Sequence, residues 1–310
     1  MSAARSGAFI ALWTSGYIVG TFGTRAISPL ALNFWRFALA AVLLAGIAWL
    51  TRAPWPRTPR AWAHLAVTGI LLQAGQFGGV YIGLASGVPA ALSSLIIGCT
   101  PVVVAAGAVG LLGERMSALG WLGSALGVAG VATALSGDLR TGGGLGVAAT
   151  FAGMAAFAAG TLYQRRFGTA MDLRSGGAVQ LGAAALVTLP LALFVPVHGH
   201  TGLAFPLTTA ALWPLAWLVV ANSIGAITLL FVLVRHSGAA GGTGLLYLVP
   251  PVTAVVGAPL LDQPLGVSGW VGLAVAMTGV VLARRGARPV TPTRSPSPRP
   301  RDRAASGTPG

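Results

Sequence analysis

The chain has 310 residues, of which 55% are apolar and only 8% are charged, and its mean hydropathy is +0.80. Soluble domains usually carry charge on about a quarter of their residues, so this composition excludes a soluble enzyme or binding domain. The single cysteine, Cys99, excludes a disulfide framework, and the spacing of the four histidines indicates no zinc site. We therefore expect no metal and no cofactor.

Apolar stretches with few or no charges recur along nearly the whole chain. A helix that crosses a membrane needs about 20 such residues. This length predicts ten spans, at residues 7–24, 30–50, 62–84, 90–113, 117–136, 144–164, 176–196, 211–233, 239–261 and 266–283. We therefore predict an all-α integral membrane protein with ten transmembrane helices.

The arginines indicate the orientation, because cytoplasmic loops of membrane proteins are enriched in basic residues. All 19 basic residues are Arg, and with the N-terminus inside, the ten spans leave only Arg25, Arg36 and Arg140 on the outer side. Both termini are thus predicted to be cytoplasmic. The abundance of Ala, Gly and Arg, with no Lys, suggests a bacterial source and the bacterial cytoplasmic membrane.

The C-terminal segment differs from the rest of the chain. Residues 285–310 are rich in Pro, Ser, Thr and Arg and too polar to pack, which predicts a disordered basic cytoplasmic tail. Its charge suits retention on the inside by anionic lipid headgroups. Nucleic-acid binding is the alternative, which we disfavour because this charge pattern commonly serves topology.

The chain repeats itself at an offset of 149 residues. The aligned pairs include Pro101 with Pro250, Gly120-Trp121 with Gly269-Trp270, and Gly130-Val131 with Gly279-Val280. The offset divides the spans into two sets of five, in residues 1–136 and 144–284. Because five is odd, equivalent helices cross in opposite directions, and we predict two inverted-topology five-helix repeats. Secondary transporters commonly use such repeats to alternate access to a central site, although a duplication without a transport role is the alternative.

Further motifs accompany this repeat. They are Trp13-Thr14-Ser15, Asn33-Phe34-Trp35-Arg36, Ala90-Ala91 and Leu112-Gly113-Glu114-Arg115 in the first half, and Ala239-Ala240 and Leu261-Asp262-Gln263-Pro264 in the second. In this order, over about residues 7–284, they resemble EamA-type ten-helix members of the drug/metabolite transporter superfamily. The resemblance implies alternating access, an inward-facing N-terminus, and small metabolites, often amino acids or related compounds, moved outward. Gln263 departs from the family, which usually has a glutamate there.

Arg36 is the charge predicted to lie within the bilayer, with Asn33 one turn before it. A buried guanidinium costs several kcal/mol unless it is paired or hydrated. One interpretation is a binding group for a carboxylate or phosphate. The other is an anchor that extends to the outer interface, because Arg36 is only about two turns into its span.

Other polar or aromatic residues in the spans are candidates for a substrate cavity, or for contacts between helices. With Arg36, the predicted substrate-binding residues are Trp13, Ser15, Tyr17, Asn33, Gln73, Gln76, Tyr81, Ser94, Tyr163, Gln180, Asn222, Thr243 and Tyr247. Pro101 and Pro250, near mid-span, free the carbonyls of Ile97 and Leu246 and are predicted to be hinges, the alternative being packed kinks.

No Asp or Glu lies inside a predicted span, which favours anionic, zwitterionic or neutral substrates over cations. We predict a secondary transporter that exports a small metabolite across the cytoplasmic membrane, acting as a monomer or homodimer among membrane lipids. A membrane-embedded enzyme or a non-transporting scaffold is the alternative. The first would need a cluster of His, Asp or Glu near a membrane face, and the second a sizeable soluble domain. The sequence contains neither.

The ten-span topology predicts that residues 52–60, 165–175 and 284–310 are all cytoplasmic. Single cysteines placed there in a Cys99→Ala background should resist an impermeant thiol reagent added to intact cells and react once the cells are permeabilised. Labelling of any of these segments from outside would contradict the predicted topology.

Overall fold

The computed structural model describes residues 3–138, 144–168, 171–197, 200–226, 228–229 and 245–288. Its helices, labelled in chain order, are α1 (Ala3–Ala26), α2 (Pro29–Leu50), α3 (Pro59–Ala85), α4 (Ala90–Leu112), α5 (Ala118–Asp138), α6 (Gly144–Phe167), α7 (Leu173–Phe194), α8 (Thr209–Ala226), α9 (Leu245–Leu261) and α10 (Val267–Gly286). The predicted all-helical architecture is confirmed. Within the described residues, the β pairing consists of β1 (Arg115–Met116) antiparallel to β2 (Ala287–Arg288) and an isolated antiparallel bridge between Val197 and His200.

Eight of the described helices, α2 to α8 and α10, are long and apolar enough to cross a membrane. They coincide with eight of the ten predicted spans. Within the described residues, α1 is long enough but less apolar, because glycine, serine and threonine recur along it, and α9 is shorter. Eight spans therefore have the required length and composition, and the count of ten stays a prediction.

Helix α10 and strand β2 extend into the first residues of the predicted C-terminal tail. Helix α10 continues to Gly286, and Ala287 and Arg288 pair with β1. Ser117 N also donates to Gly286 O, so the backbone hydrogen bonds of this segment are satisfied by the start of α5. The remainder of the predicted tail lies outside the described residues.

Helix starts in the predicted cytoplasmic loops have ordinary local causes. Thr58 caps α3 by accepting a hydrogen bond from Ala61 N, and Asp172 caps α7 by accepting from Arg174 N. The side-chain hydrogen bond from the Arg174 guanidinium, together with this backbone bond, lowers the pKa of Asp172 to about 2. The cap thus stays ionised and complements the positive end of the α7 dipole.

Helix α4 is interrupted at Cys99, two residues before Pro101. Proline removes one helical N–H and displaces the carbonyl four residues earlier, at Ile97. Thr100 Oγ1 donates a 2.6 Å hydrogen bond to that carbonyl. The freed acceptor is therefore satisfied by protein, as a membrane interior requires.

Helices α5 and α10 pack antiparallel through glycine. A Cβ on Gly123 would overlap Ala283 N, and a Cβ on Gly272 would overlap Ala134 N. The two contacts are reciprocal, because Gly272 and Ala283 lie 149 residues after Gly123 and Ala134. The same antiparallel contact joins α3 to α6, where Gly79 lies against the backbone of Gly153. Small residues allow this close approach of backbones, as is typical of membrane helices.

Candidate functional site

Arg36 lies inside the helix bundle and is the largest nearly fully buried side chain among the described residues, with 1% of its surface exposed. An interfacial anchor would keep its charged head in water or among headgroups. The interpretation of Arg36 as an outer anchor is therefore wrong. Its guanidinium depends on the protein for all of its hydrogen bonds.

Three neutral side chains bind the guanidinium. Tyr81 Oη accepts from Nη1 at 2.8 Å, Asn222 Oδ1 accepts from Nη2 at 2.6 Å, and Ser223 Oγ accepts from Nε at 2.9 Å. Tyr81 belongs to α3, whereas Asn222 and Ser223 belong to α8. Arg36 thus joins helices from the two halves of the chain.

Aromatic rings complete the surroundings of the guanidinium. Its Cζ atom lies 4.1 Å from the centroid of the Phe77 ring and 5.8 Å from that of Phe37. A desolvated cation over an aromatic face gains about 2 kcal/mol. The rings therefore stabilise the charge without neutralising it.

Within the described part of the chain, no carboxylate pairs with Arg36. The ion pairs found there are Arg165 with Glu114, at 3.7 Å, and Arg174 with Asp172, at 2.7 Å, and both lie at helix ends. Removing an unpaired cation from water costs several kcal/mol even after relaxation. The site therefore presents a positive charge that dipoles and rings only partly offset.

A π-helical segment, Leu218–Ala226, brings Asn222 and Ser223 to Arg36 together. Consecutive side chains diverge by about 100° in an α-helix and by less in a π-helix, which has more residues per turn. The first half has a π-helical segment at Ile70–Gly75, which contains Gln73, 149 residues before Asn222. Such segments frequently occur at functional sites.

Two glycines of α1 provide the space that these partners occupy. A Cβ on Gly16 would lie 2.6 Å from Asn222 Nδ2, and a Cβ on Gly20 would lie 2.9 Å from Tyr81 Cε1. Asn222 Nδ2 also donates to Leu12 O at 3.1 Å. Helix α1 thus positions Tyr81 and Asn222, two of the three partners of Arg36.

Asn33 supplies an unused acceptor one turn from Arg36. Its side chain is fully buried, and Nδ2 donates to Phe77 O at 3.0 Å, whereas Oδ1 has no hydrogen-bond partner. An unsatisfied buried acceptor costs about 1–3 kcal/mol. A donor on a bound molecule would remove that cost.

The predicted substrate-binding residues do not form one cluster. Tyr81 and Asn222 contact Arg36, and Asn33 lies near it, as described above. The other predicted residues on α1 and α3 are the buried Tyr17, Trp13 packed on Phe9, Ser15 bound by Trp217 Nε1, the buried Gln76 and the half-buried Gln73. Their roles as substrate contacts stay predictions.

The remaining predicted residues have other neighbours. They are Ser94, bonded to Ala91 O of its own helix; Tyr163, whose Oη is 2.7 Å from His64 Nδ1; Gln180, half-buried on α7 beside Gly69; and Tyr247, whose ring centroid is 5.5 Å from Arg284 Cζ. Thr243 lies outside the described residues. None of these contacts brings the side chain to Arg36.

Both predicted hinge prolines stand at helix interruptions. Pro101 follows the break in α4, and Pro250 follows a 3₁₀ turn, Leu245–Leu248, at the start of α9. The two interruptions face each other, because a Cβ on Gly98 would lie 2.9 Å from Pro250 Cγ. Bending at these points stays a prediction.

Ser223, Phe77, Gly16 and Gly20 are site residues that the sequence interpretation missed. Each had a local signal. Ser223 follows Asn222 in an apolar stretch, Phe77 precedes Tyr81 by one helical turn, and the two glycines are four residues apart on α1. Their partners, however, lie on other helices, so only the tertiary structure identifies them.

Comparison with known proteins identifies similar sequences. Residues 6–136 match the model of the EamA-like transporter family. The chain is 28% identical over 275 residues to a protein named as an uncharacterized inner membrane transporter, YedA, of Escherichia coli, covering 89% of this chain and 88% of that protein. The same match is found in further strains of that species. The resemblance to the drug/metabolite transporter superfamily is thereby confirmed.

A solved crystal structure shares the fold. It superposes with a TM-score of 0.62 at 19% sequence identity and covers 90% of this chain and 96% of its own. This likeness supports the arrangement of the helices.

Gly20→Ala should disturb the site through Tyr81, because the added Cβ would meet a buried aromatic ring that cannot move aside freely. Overpacking of this kind costs about 1–3 kcal/mol, so the melting temperature of the purified protein should fall. Gly46→Ala is the matched control, since a Cβ there would meet no atom within 4 Å. Equal melting temperatures for the two variants would show that Tyr81 is not held against α1.

Proposed function

We propose that this chain, of which residues 6–136 match the EamA-like transporter family, is a membrane transporter that moves a small anionic, zwitterionic or neutral metabolite by alternating access. Arg36 binds the negative group where the substrate has one. The protein lies in the bacterial cytoplasmic membrane with both termini inside and works as a monomer or homodimer. Export is the direction that the family resemblance implies.

Reciprocal helix packing supports the two inverted repeats on which alternating access depends. Helix α3 packs on α6, and α8, five helices later, packs on α1. Helices α2 and α7, α4 and α9, and α5 and α10 each pack on their own counterpart. These pairings are compatible with a two-fold axis that relates residues 1–136 to 144–284. The reciprocal contacts of Gly123 with Ala283 and of Gly272 with Ala134 agree with the same axis.

The buried guanidinium is the observation that carries the proposal. A cation that is 1% exposed, and whose hydrogen-bond partners among the described residues are neutral, is destabilised relative to one with a counter-charge. A substrate carboxylate or phosphate would supply that counter-charge. Metabolites with only a positive charge would be repelled, and the described residues place no carboxylate beside Arg36 to offset the repulsion.

Asn33 extends the proposal to zwitterions. Its unpartnered Oδ1 lies on the same helix face as Arg36, one turn away. A substrate with an ammonium or hydroxyl group near its carboxylate could donate to this oxygen while Arg36 binds the anion. The pair of groups suits a small molecule with both a donor and a negative group.

Arg36→Gln should abolish transport of the anion while the protein still folds, because glutamine retains a hydrogen-bond donor and removes an uncompensated charge. Counterflow in proteoliposomes against a panel of amino acids, hydroxy acids and keto acids should fall about tenfold or more, the usual effect of losing a hydrogen bond to a charged group. Arg36→Lys should rescue it only partly, since an ammonium cannot reproduce the planar fork.

Arg57→Gln is the matched control for this test, because Arg57 is exposed and lies in the predicted cytoplasmic loop. It should transport like the wild type. Full counterflow by Arg36→Gln at normal abundance, with the same melting profile, would exclude Arg36 from the substrate site.

A further inference from the structure

Asn222 and Ser223 occupy one edge of the Arg36 guanidinium. Nε and Nη2 point in the same direction, and together they form the fork that binds both oxygens of a carboxylate. Asn222 Oδ1 lies on Nη2 and Ser223 Oγ lies on Nε. Two neutral oxygens of α8 thus stand where the two oxygens of a bound carboxylate would stand.

The third partner is placed differently. Tyr81 Oη binds Nη1, on the opposite end of the guanidinium, and belongs to the same half of the chain as Arg36. Its ring is fully buried against α1. Tyr81 can therefore keep Arg36 oriented while the Nε–Nη2 edge exchanges its partners.

We propose that Asn222 and Ser223 form an internal substitute for the substrate's carboxylate, which the substrate must displace in order to bind. This inference rests on the proposed anion site and describes which hydrogen bonds of that site the substrate replaces. Displacement breaks the hydrogen bonds that join α2 of the first half to α8 of the second. Binding of the anion therefore removes the Arg36 hydrogen bonds between the two halves, while the packing of the other helix pairs stays in place.

The neutrality of the two side chains makes the exchange possible. The Arg36 guanidinium bonds to Asn222 and Ser223 as an ionised donor to neutral acceptors, whereas a carboxylate would add Coulombic attraction to a bidentate pair of hydrogen bonds. A carboxylate also supplies the counter-charge that Asn222 and Ser223 lack. An aspartate at position 222 would supply that charge permanently and leave nothing for a substrate to displace.

The test is a double-mutant cycle on positions 36 and 222, read as melting temperature without added ligand. Asn222→Asp should raise the melting temperature when Arg36 is present, because it pairs the buried charge. In an Arg36→Gln background the same substitution should lower it, because a carboxylate is then buried alone. This change of sign is the expected result.

Gln73→Glu provides the matched control for the stability measurement. Gln73 lies in the equivalent π-helical segment of the first half and does not bond to Arg36. Its substitution makes the same change of an amide to a carboxylate. It should not raise the melting temperature. The inference would be overturned if Asn222→Asp lowered the melting temperature by the same amount with Arg36 present and in the Arg36→Gln background.

Transport gives the second readout. Asn222→Asp should abolish counterflow of the panel carboxylate that gives the largest wild-type signal, although the protein is more stable. Ser223→Ala removes one hydrogen bond of the internal substitute with little change in side-chain size. It should therefore lower the half-saturation concentration for the same carboxylate severalfold. Wild-type counterflow by Asn222→Asp would overturn the displacement step. Full counterflow by Arg36→Gln would contradict the proposed anion site itself. The melting temperatures of the double-mutant cycle would then still show whether Asn222 pairs with the Arg36 guanidinium.

Discussion

The arrangement of this protein depends on one constraint, a guanidinium placed inside a membrane protein with no carboxylate beside it among the residues that the structure describes. Arg36 is buried within α2, and its donors are met by Tyr81, Asn222 and Ser223. Each partner belongs to a different helix from Arg36. The hydrogen bonds to its guanidinium therefore hold α3 and α8 against α2. The small residues of α1 follow from the same constraint, since a side chain at Gly16 or Gly20 would push a partner away.

Close helix contacts elsewhere provide the frame for this centre. Helices α5 and α10 approach through glycine and alanine backbones, away from Arg36, and the two interrupted helices α4 and α9 meet where Gly98 faces Pro250. Helices α5 and α10 are thus in close backbone contact, whereas α4 and α9 are each interrupted near a proline. Bending at these interruptions stays a prediction.

Hydropathy predicted most of the fold, because the length of a membrane span limits where a helix can begin and end. Span two, predicted at 30–50, is Pro29–Leu50 in the structure. The rarity of charge in the spans likewise indicated Arg36. The partners could not be predicted in this way, since Ser223 lies 187 residues from Arg36 and its proximity depends on tertiary packing. The π-helical turn that brings Asn222 and Ser223 together has no period that a hydropathy pattern would reveal. Hydropathy likewise gives no signal for Ala287 and Arg288, because their pairing with β1 is non-local.

The central claim is that a negative group on the substrate meets the positive charge of Arg36. Its most direct test is counterflow in wild-type proteoliposomes with matched sets of compounds, each set comprising a carboxylic acid, its amide and the corresponding amine without the carboxyl group. The account predicts exchange of the acid, weak exchange of the neutral amide and none of the amine. Exchange of the amine at the rate of the acid would contradict it, because a buried, uncompensated guanidinium disfavours a cation.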